Sequence, residues 1–217
     1  MTTRLLCWAG LISAVAALNY AAYGQTSTGT SRNEIYSYSA FADGTIFYAV
    51  ILGLVLLIAL DRSDLLALRV PRSLAAAGGI AVAVIVLILV WEYAVTALPI
   101  ENPGNEQGLT PTHWEPSHAG AFAANVVLFV AIAPVVEELT FRGVGQSLWR
   151  ERVGAVPAIA ILGLFFGIWH GLLVALLVLI PFGWALSYLR ERTGSVVPGM
   201  LVHALFNGAA IAVSVLS

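Results

Sequence analysis

Seven apolar runs constrain the fold of this chain more than any other feature of its sequence. A helix needs about 20 consecutive apolar residues to cross a bilayer, and only helices or closed barrels satisfy their backbone hydrogen bonds there. The runs are Leu5–Tyr23, Phe41–Leu60, Leu74–Leu98, Ala119–Val136, Pro157–Val174, Ala175–Leu189 and Val196–Leu216. The sequence therefore predicts an all-α fold, a polytopic transmembrane helix bundle of about seven spans.

The composition places the chain among integral membrane proteins. It is 59% hydrophobic and 10% charged, whereas a soluble domain is about 45–50% apolar and about 25% charged. A net charge of -2 gives no reason to expect a nucleic-acid partner. The single cysteine, Cys7, excludes an intramolecular disulfide. The lipid bilayer is therefore the expected environment of this chain.

Three stretches leave alternatives open. The first run follows Arg4 and could be a cleaved signal peptide instead of a first helix; because the run is long enough to span and further spans follow, we expect an uncleaved helix. No polar loop separates the fifth and sixth runs, which are joined by a tight turn. Gly143–Gly154 contains Trp149, Arg150 and Arg152, and predicts a short interfacial helix.

The arginines predict the orientation of the chain. With seven spans and the N-terminus in the cytoplasm, the outer loops hold only Arg32. The inner side then holds Arg4, Arg62, Arg69, Arg72, Arg142, Arg150, Arg152, Arg190 and Arg192. Nine of ten arginines on one side follow the positive-inside rule. We therefore expect a multi-pass protein with a cytoplasmic N-terminus.

Two adjacent carboxylates, Glu137 and Glu138, end the fourth apolar run. A charge inside hydrocarbon costs at least about 2.5–3.5 kcal/mol, which makes intramembrane carboxylates candidates for function. If the helix continues to Arg142, Glu138 and Arg142 are four residues apart and share a face. Glu137 then points about 100° away from them. The spacing predicts that Arg142 neutralises Glu138, which leaves Glu137 free to face a cavity. An ordinary charged helix end is the structural alternative.

The fifth run places a histidine, His170, four residues after Phe166. Gly163, Gly167 and Gly171 form a stripe of small residues on a neighbouring face, which permits close helix packing. We therefore expect His170 to face another helix and not lipid. The structural alternative is a buried histidine that is bonded to a carbonyl.

The seventh run carries His203 and Asn207 on one helix face. Polar side chains in such a stripe often form only helix–helix hydrogen bonds, worth about 0.6 kcal/mol each. Taken with Glu137 and His170, they acquire a second interpretation. A carboxylate that takes a proton, a histidine that orients water and two donors for an oxyanion are the minimum set for hydrolysing a carbonyl compound.

This set favours activated water over a covalent intermediate, since neither Ser147 nor Ser187 is paired with a base and Cys7 is remote in sequence. We expect no cofactor. One glutamate and two histidines could also bind zinc, and although no HExxH spacing is present, zinc remains the alternative cofactor. The active site would lie inside the bundle.

At these residues the chain resembles the CPBP (Abi) family of intramembrane proteases, which includes the Ras-converting CAAX prenyl endopeptidases. The family pattern is EExxxR, then FxxxH, then HxxxN or HxxxB, on successive membrane helices. Here the first motif runs from Glu137 to Arg142, the second from Phe166 to His170, and the third from His203 to Asn207. The resemblance covers about Ser117–Ala212, which suggests N-terminal helices and loops over 1–116 and a catalytic core over 117–212 of one membrane domain, 1–217.

The resemblance implies that Glu137 is the general base and that His170 helps it to activate water. His203 and Asn207 would stabilise the oxyanion, while Glu138 and Arg142 support the helix end. The expected substrate is a peptide or protein in the membrane, with or without a prenyl group. Because the loop after His170 is nearly absent, a wide cleft for a prenylated tail does not follow. A bacterial-type cell membrane is the expected location.

Two other functions compete with an endopeptidase. A transporter or channel could use buried carboxylates to relay protons, but the sequence lacks repeats and paired broken helices. A proteolytically silent family member could act as a membrane scaffold or a bacteriocin-immunity protein. The endopeptidase also requires that Glu137 and His170 lie at one depth. We predict that the fifth helix starts below the membrane surface and that Gly143–Gly154 dips inward as a partial cap.

Overall fold

The computed structural model describes residues 2–26, 34–99 and 114–216. Within these ranges the chain forms seven main helices and no strand. They are α1 Thr2–Thr26, α2 Tyr38–Ile58, α3 Leu74–Thr96, α4 Pro116–Val153, α5 Ala155–Trp169, α6 Leu176–Thr193 and α7 Val197–Leu216. Five of them, α1, α2, α3, α4 and α7, are long and apolar enough to cross a membrane. The predicted all-α polytopic bundle is confirmed.

The fourth helix is much longer than the sequence predicted. α4 has 38 residues and a length of about 57 Å, nearly twice the thickness of a bilayer core, which is about 30 Å. Its central turns are α-helical over Ala133–Glu138 and are flanked by π-helical segments at Leu128–Ile132 and Leu139–Gly145. The glutamate pair therefore lies inside this helix and not at its end.

The predicted interfacial helix over Gly143–Gly154 is wrong. These residues continue α4 to Val153, and Gly143 to Leu148 are buried. Two glycines explain the burial, because they allow neighbouring groups to approach the helix closely. A Cβ at Gly143 would lie 2.9 Å from the carbonyl oxygen of Leu66, and a Cβ at Gly145 would lie 2.6 Å from the ring of Trp8.

The hairpin between α4 and α5 brings Glu137 and His170 to one level. Gly154, with a φ of 85°, ends α4, a conformation that favours glycine. Glu137 lies 17 residues before Gly154 and His170 lies 16 residues after it. At 1.5 Å per residue, both lie about 25 Å from the turn. The long α4 thus aligns the two residues, and the predicted partial cap is not present in this stretch.

The fifth helix ends earlier than predicted. α5 has 15 residues and ends at Trp169, so that His170 caps it instead of lying inside a span to Val174. At about 22 Å, α5 is too short to cross the hydrocarbon core. The side-chain amide of Asn19 on α1 donates to the carbonyl of Trp169 at 2.6 Å. The turn after α5 is therefore held against α1.

Close packing between α5 and α6 follows from their glycines, as the small-residue stripe predicted. A Cβ at Gly183 would lie 2.8 Å from the Cα of Gly163, and one at Gly163 would collide with the ring of Trp184. A Cβ at Gly167 would lie 2.5 Å from Ile180. The third glycine of the stripe, Gly171, lies beyond α5 in the turn.

Gly171→Ala is expected to destabilise the protein. Gly171 has a φ of 69°, and a Cβ there would lie 2.6 Å from the backbone carbon of Asn19. The left-handed conformation alone costs an L-residue about 1–2 kcal/mol, and the collision adds to that cost. Thermal unfolding in detergent, with the folded fraction read by size-exclusion chromatography, would measure the loss of stability. Gly10→Ala is the control, because nothing lies within 4 Å of a Cβ at Gly10; equal stability of the two variants would contradict this account of the turn.

Most arginines gather at one end of the bundle. Arg4 donates to the carbonyls of Ile58 and Leu60, both at 2.6 Å, and the side chain of Arg69 donates to the carbonyl of Gly194 at 2.6 Å. Ion pairs at the same end join Arg62 to Glu151 and Arg150 to Glu191. Arg142 does not lie at this end, because it is fully buried deep inside the bundle. Arg32 lies outside the described residues, and the cytoplasmic orientation of the arginine-rich end stays a prediction.

Candidate active site

Three helices bring the six predicted site residues together. α4 carries Glu137, Glu138 and Arg142, the end of α5 carries His170, and α7 carries His203 and Asn207. Every site residue on α4 is buried, as is His203. The carboxyl groups, the guanidinium and the two imidazoles form one contact network, whereas Asn207 is bonded to the backbone of α4.

Glu138 and Arg142 form the ion pair that their spacing predicted. Nη1 of Arg142 lies 2.8 Å from Oε1 of Glu138, and both side chains are 0% exposed. Arg142 also donates to the carbonyl of Gly183 at 3.1 Å, and its guanidinium carbon lies 4.3 Å from the centroid of the Phe166 ring. Since a Cβ at Gly199 would lie 2.6 Å from Oε2 of Glu138, α7 can pack against this pair only through a glycine.

The two carboxylate oxygens of Glu137 have different surroundings. Oε1 accepts a hydrogen bond of 2.7 Å from the hydroxyl of Tyr48. Oε2 lies 3.8 Å from Nε2 of His170 and 3.8 Å from Nε2 of His203. Oε2 is buried and has no hydrogen-bond partner among the described protein groups. The carboxylate thus turns one free oxygen toward two histidines, and Glu137 and His170 do meet.

His170 presents an unprotonated nitrogen to Glu137. Its Nδ1 lies 2.7 Å from the carbonyl oxygen of Phe166, and a carbonyl only accepts hydrogen bonds, so that Nδ1 carries the proton. This carbonyl is free because the amide of His170 bonds to Gly167 instead, as α5 ends. In the neutral ring Nε2 therefore has a lone pair, directed toward Oε2 of Glu137. The spacing of Phe166 and His170 fixes this tautomer.

His203 lies between the two glutamates. Its Nδ1 is 3.3 Å from Oε1 of Glu138, and its Nε2 is 3.8 Å from Oε2 of Glu137. The rings of Phe166 and Phe182 contact it edge-on, with centroids at 5.7 Å and 5.2 Å. Both nitrogens of His203 therefore face carboxylate oxygens, one from each glutamate.

Asn207 bonds to a backbone carbonyl of α4. Its Nδ2 donates to the carbonyl of Phe129 at 2.9 Å. In the π-helical segment the amide of Ala133 bonds five residues back to Leu128. In the same register Phe129 would pair with Pro134, which has no N–H to donate. Asn207 thus satisfies a carbonyl that Pro134 leaves without a helical partner, and one proton of its amide group remains for another acceptor.

Sequence reasoning missed the contribution of the N-terminal helices. Tyr48 on α2 bonds to Glu137, and Nε1 of Trp8 on α1 donates to the carbonyl of Thr140 in the second π-helical segment at 2.8 Å. One signal for Tyr48 was present in the sequence. Tyrosines in spans concentrate at the membrane interfaces, whereas Tyr48 lies at the middle of the 21-residue α2, where its hydroxyl needs a partner inside the bundle.

The described residues contain no group of three or more histidine, cysteine, aspartate or glutamate side chains arranged to hold a metal ion. Glu137, His170 and His203 are the residues that would supply the ligands in the zinc alternative.

Comparison with known proteins gives one match. Residues 119–209 match the family model described as type II CAAX prenyl endopeptidase Rce1-like, and no curated protein and no solved structure matches the chain. The matched range lies within the predicted core, 117–212, although the division of the chain at that point stays a prediction. With its long apolar helices, the chain is a multi-pass integral membrane protein. Residues 119–209, which carry all three motifs, are similar to the Rce1-like family of CAAX proteases, as the motifs predicted.

Proposed function

We propose that this protein is an intramembrane glutamic endopeptidase, in which Glu137 and His170 activate water against a peptide bond. One observation carries the proposal: the buried Oε2 of Glu137 lies 3.8 Å from Nε2 of both His170 and His203. The family match supports a protease in general. The specific use of a glutamate and water rests on the geometry of the three side chains.

Glu137 and His170 offer two acceptors to one water molecule. Oε2 of Glu137 and the lone pair on Nε2 of His170 each accept one hydrogen bond from this water. A water that donates both protons in this way directs an oxygen lone pair at the substrate carbonyl. A positioned base contributes about 10²–10⁴-fold to such a reaction, and this is the share that we assign to Glu137.

The reaction then proceeds without a covalent enzyme intermediate. The water oxygen bonds to the carbonyl carbon, one water proton passes to Glu137, and the carbonyl electron pair moves onto oxygen. When this oxyanion collapses, the carbon–nitrogen bond breaks and Glu137 returns the proton to the leaving nitrogen. The products are a new carboxyl terminus and a new amino terminus.

His203 and Asn207 stabilise the oxyanion in this proposal. The protonated ring of His203 donates Nδ1–H to Glu138, 3.3 Å away, and Nε2–H to the oxyanion. Asn207 uses one amide proton on Phe129 and offers its second proton to the same oxygen. Removing one such donor typically costs about 10²–10³ in kcat. Glu138 and Arg142 act indirectly, because their ion pair holds His203 and this part of α4 in place.

The proposed substrate is a membrane-associated or lipidated protein or peptide, cleaved near its C-terminus, with or without a prenyl group. The family match and the burial of the site inside a bundle of apolar helices support a substrate that reaches it from the membrane. The arginine-rich end of the bundle, where Arg4 lies, supports a cytoplasmic N-terminus. The bacterial-type cell membrane follows from the sequence resemblance alone.

Incubation with a peptide library tests the proposal. Purified protein in nanodiscs would receive lipidated, prenylated and transmembrane peptides with varied C-termini, and mass spectrometry would identify the products. We expect cleavage of at least one class at a defined bond, with solvent ¹⁸O entering the new carboxyl terminus. The absence of any product would contradict the endopeptidase and favour a silent scaffold or immunity protein.

Chelation of metals is expected to leave the activity unchanged. The proposed reaction needs only protein side chains and water, so that o-phenanthroline at a saturating concentration has nothing to remove. The rate of peptide cleavage would be compared before chelation, after chelation and after addition of zinc. Loss of activity that zinc alone restores would replace the glutamate mechanism with a metal-dependent one at Glu137, His170 and His203.

A further inference from the structure

Tyr48 is the one side chain of the N-terminal helices that bonds to a predicted site residue within the described structure. Its hydroxyl lies 2.7 Å from Oε1 of Glu137. It belongs to α2, outside both the three motifs and the matched range, 119–209. The sequence resemblance therefore gives it no role.

The direction of this hydrogen bond is fixed by chemistry. An ionised carboxylate can only accept, so the Tyr48 hydroxyl donates. The terminal torsion of a glutamate has broad, shallow minima, and a bond to one oxygen restricts it. Because Tyr48 occupies Oε1, the other oxygen, Oε2, is the one that faces His170 and His203. Tyr48 thus selects the oxygen that acts as the base.

The packing of α2 against α4 brings the hydroxyl within reach. Gly44 lies one turn before Tyr48 on the same face of α2, and a Cβ there would meet the side chain of Leu128. The ring of Phe47, the residue before Tyr48, contacts the rings of both Tyr48 and Trp169, with centroid distances of 5.2 Å and 6.0 Å. Trp169 directly precedes His170, so that α2 bonds to Glu137 and also packs against the residue next to His170.

The geometry points to Tyr48 as a positioning residue that orients the Glu137 carboxylate for catalysis. This inference rests on the proposed function, since it assigns Glu137 as the base. Tyr48 itself need not touch the substrate; its effect passes through Oε1 of Glu137. The N-terminal helices are then part of the catalytic unit and not only a membrane anchor for it.

Tyr48→Phe removes the hydroxyl and keeps the ring. We expect kcat to fall about 10–100-fold, the loss typical of a hydrogen bond to a charged group, with KM unchanged. Tyr36→Phe is the control, because that hydroxyl accepts a bond from the amide of Glu115 away from the site, and it should leave kcat unchanged. An unchanged kcat in Tyr48→Phe, or a change confined to KM, would overturn the inference.

Infrared spectroscopy tests the same contact without any substrate. The difference spectrum between wild type and Glu137→Gln isolates the carboxylate band of Glu137. We expect Tyr48→Phe to shift this band, and to have no effect in the Glu137→Gln background, because the two changes act on one contact. An unmoved band overturns the role of Tyr48. A shifted band, together with no cleavage by wild type, would instead overturn the protease and leave the contact standing.

Discussion

Glu137→Gln is expected to lower kcat for peptide cleavage by about 10²–10⁴-fold, the contribution of a positioned general base. The amide has nearly the shape of the carboxylate, and its oxygen can still accept the bond from Tyr48, but it cannot take a proton from water. The substitution therefore removes the chemistry and preserves the packing. KM and the midpoint of thermal unfolding should stay close to those of wild type.

Single-turnover cleavage of the best library peptide, followed by mass spectrometry, would measure this effect. Glu92→Gln is the matched control, because Glu92 is also a carboxylate in a long apolar helix, α3, but lies between Trp91 and Tyr93 and outside the site. The Glu92→Gln variant should cleave the peptide at the wild-type rate. Equal cleavage by Glu137→Gln and wild type would remove Glu137 as the base and direct attention to the metal-dependent alternative.

Local spacing was sufficient to predict the parts of the site that lie within one helix. The separation of Glu138 and Arg142 by four residues required only that the helix continue, and their ion pair at 2.8 Å follows from it. The seven apolar runs likewise predicted seven helices, since a bilayer leaves few other choices for such segments. Both predictions depend only on residues that are neighbours along the chain.

Contacts between distant segments could not be predicted in the same way. The sequence predicts that the stretch Gly143–Gly154 is interfacial because it contains arginines and a tryptophan. In the structure this stretch continues α4, and Trp8 and Leu66 pack closely against its glycines. The level of His170 relative to Glu137 could not be predicted from spacing either, because it depends on the turn at Gly154 and on the length of α4 beyond Glu137. Such contacts depend on which helices become neighbours.

Asn207 shows how one side chain can serve structure and function together. The sequence left open whether Asn207 forms a helix–helix hydrogen bond or donates a hydrogen bond to the oxyanion. The structure gives it a backbone partner, Phe129, whose helical partner would have been Pro134. This bond holds Asn207 near the π-helical segment that precedes the glutamates. The structural interpretation of Asn207 therefore supports, and does not replace, a role in orienting a second amide proton.

Glu138→Gln is expected to destabilise the protein by about 3–5 kcal/mol, as breaking a buried ion pair does. Arg142 is 0% exposed and its Nη1 is 2.8 Å from Glu138, so that the substitution leaves a buried cation without its countercharge. The same carboxylate also accepts from His203. Loss of folded protein and loss of activity should therefore occur together, in contrast to Glu137→Gln. Equilibrium unfolding in mixed micelles would measure the difference.

A solvent-accessible pair provides the control for burial. Arg62 and Asp64 lie 2.9 Å apart, and their side chains are 39% and 62% exposed. Asp64→Asn should cost no more than about 1 kcal/mol, because water screens such pairs. If Glu138→Gln were as stable as Asp64→Asn, Arg142 would not depend on Glu138 for its charge balance.

Removing both buried charges separates stability from activity. Glu138→Leu combined with Arg142→Met leaves neither an unpaired cation nor an unpaired anion, and apolar replacements of buried pairs are often neutral or stabilising. The double variant should therefore be more stable than Glu138→Gln. It should still cleave slowly, because His203 has lost the acceptor that holds its Nδ1. Full activity in a stable double variant would show that Glu138 serves folding alone.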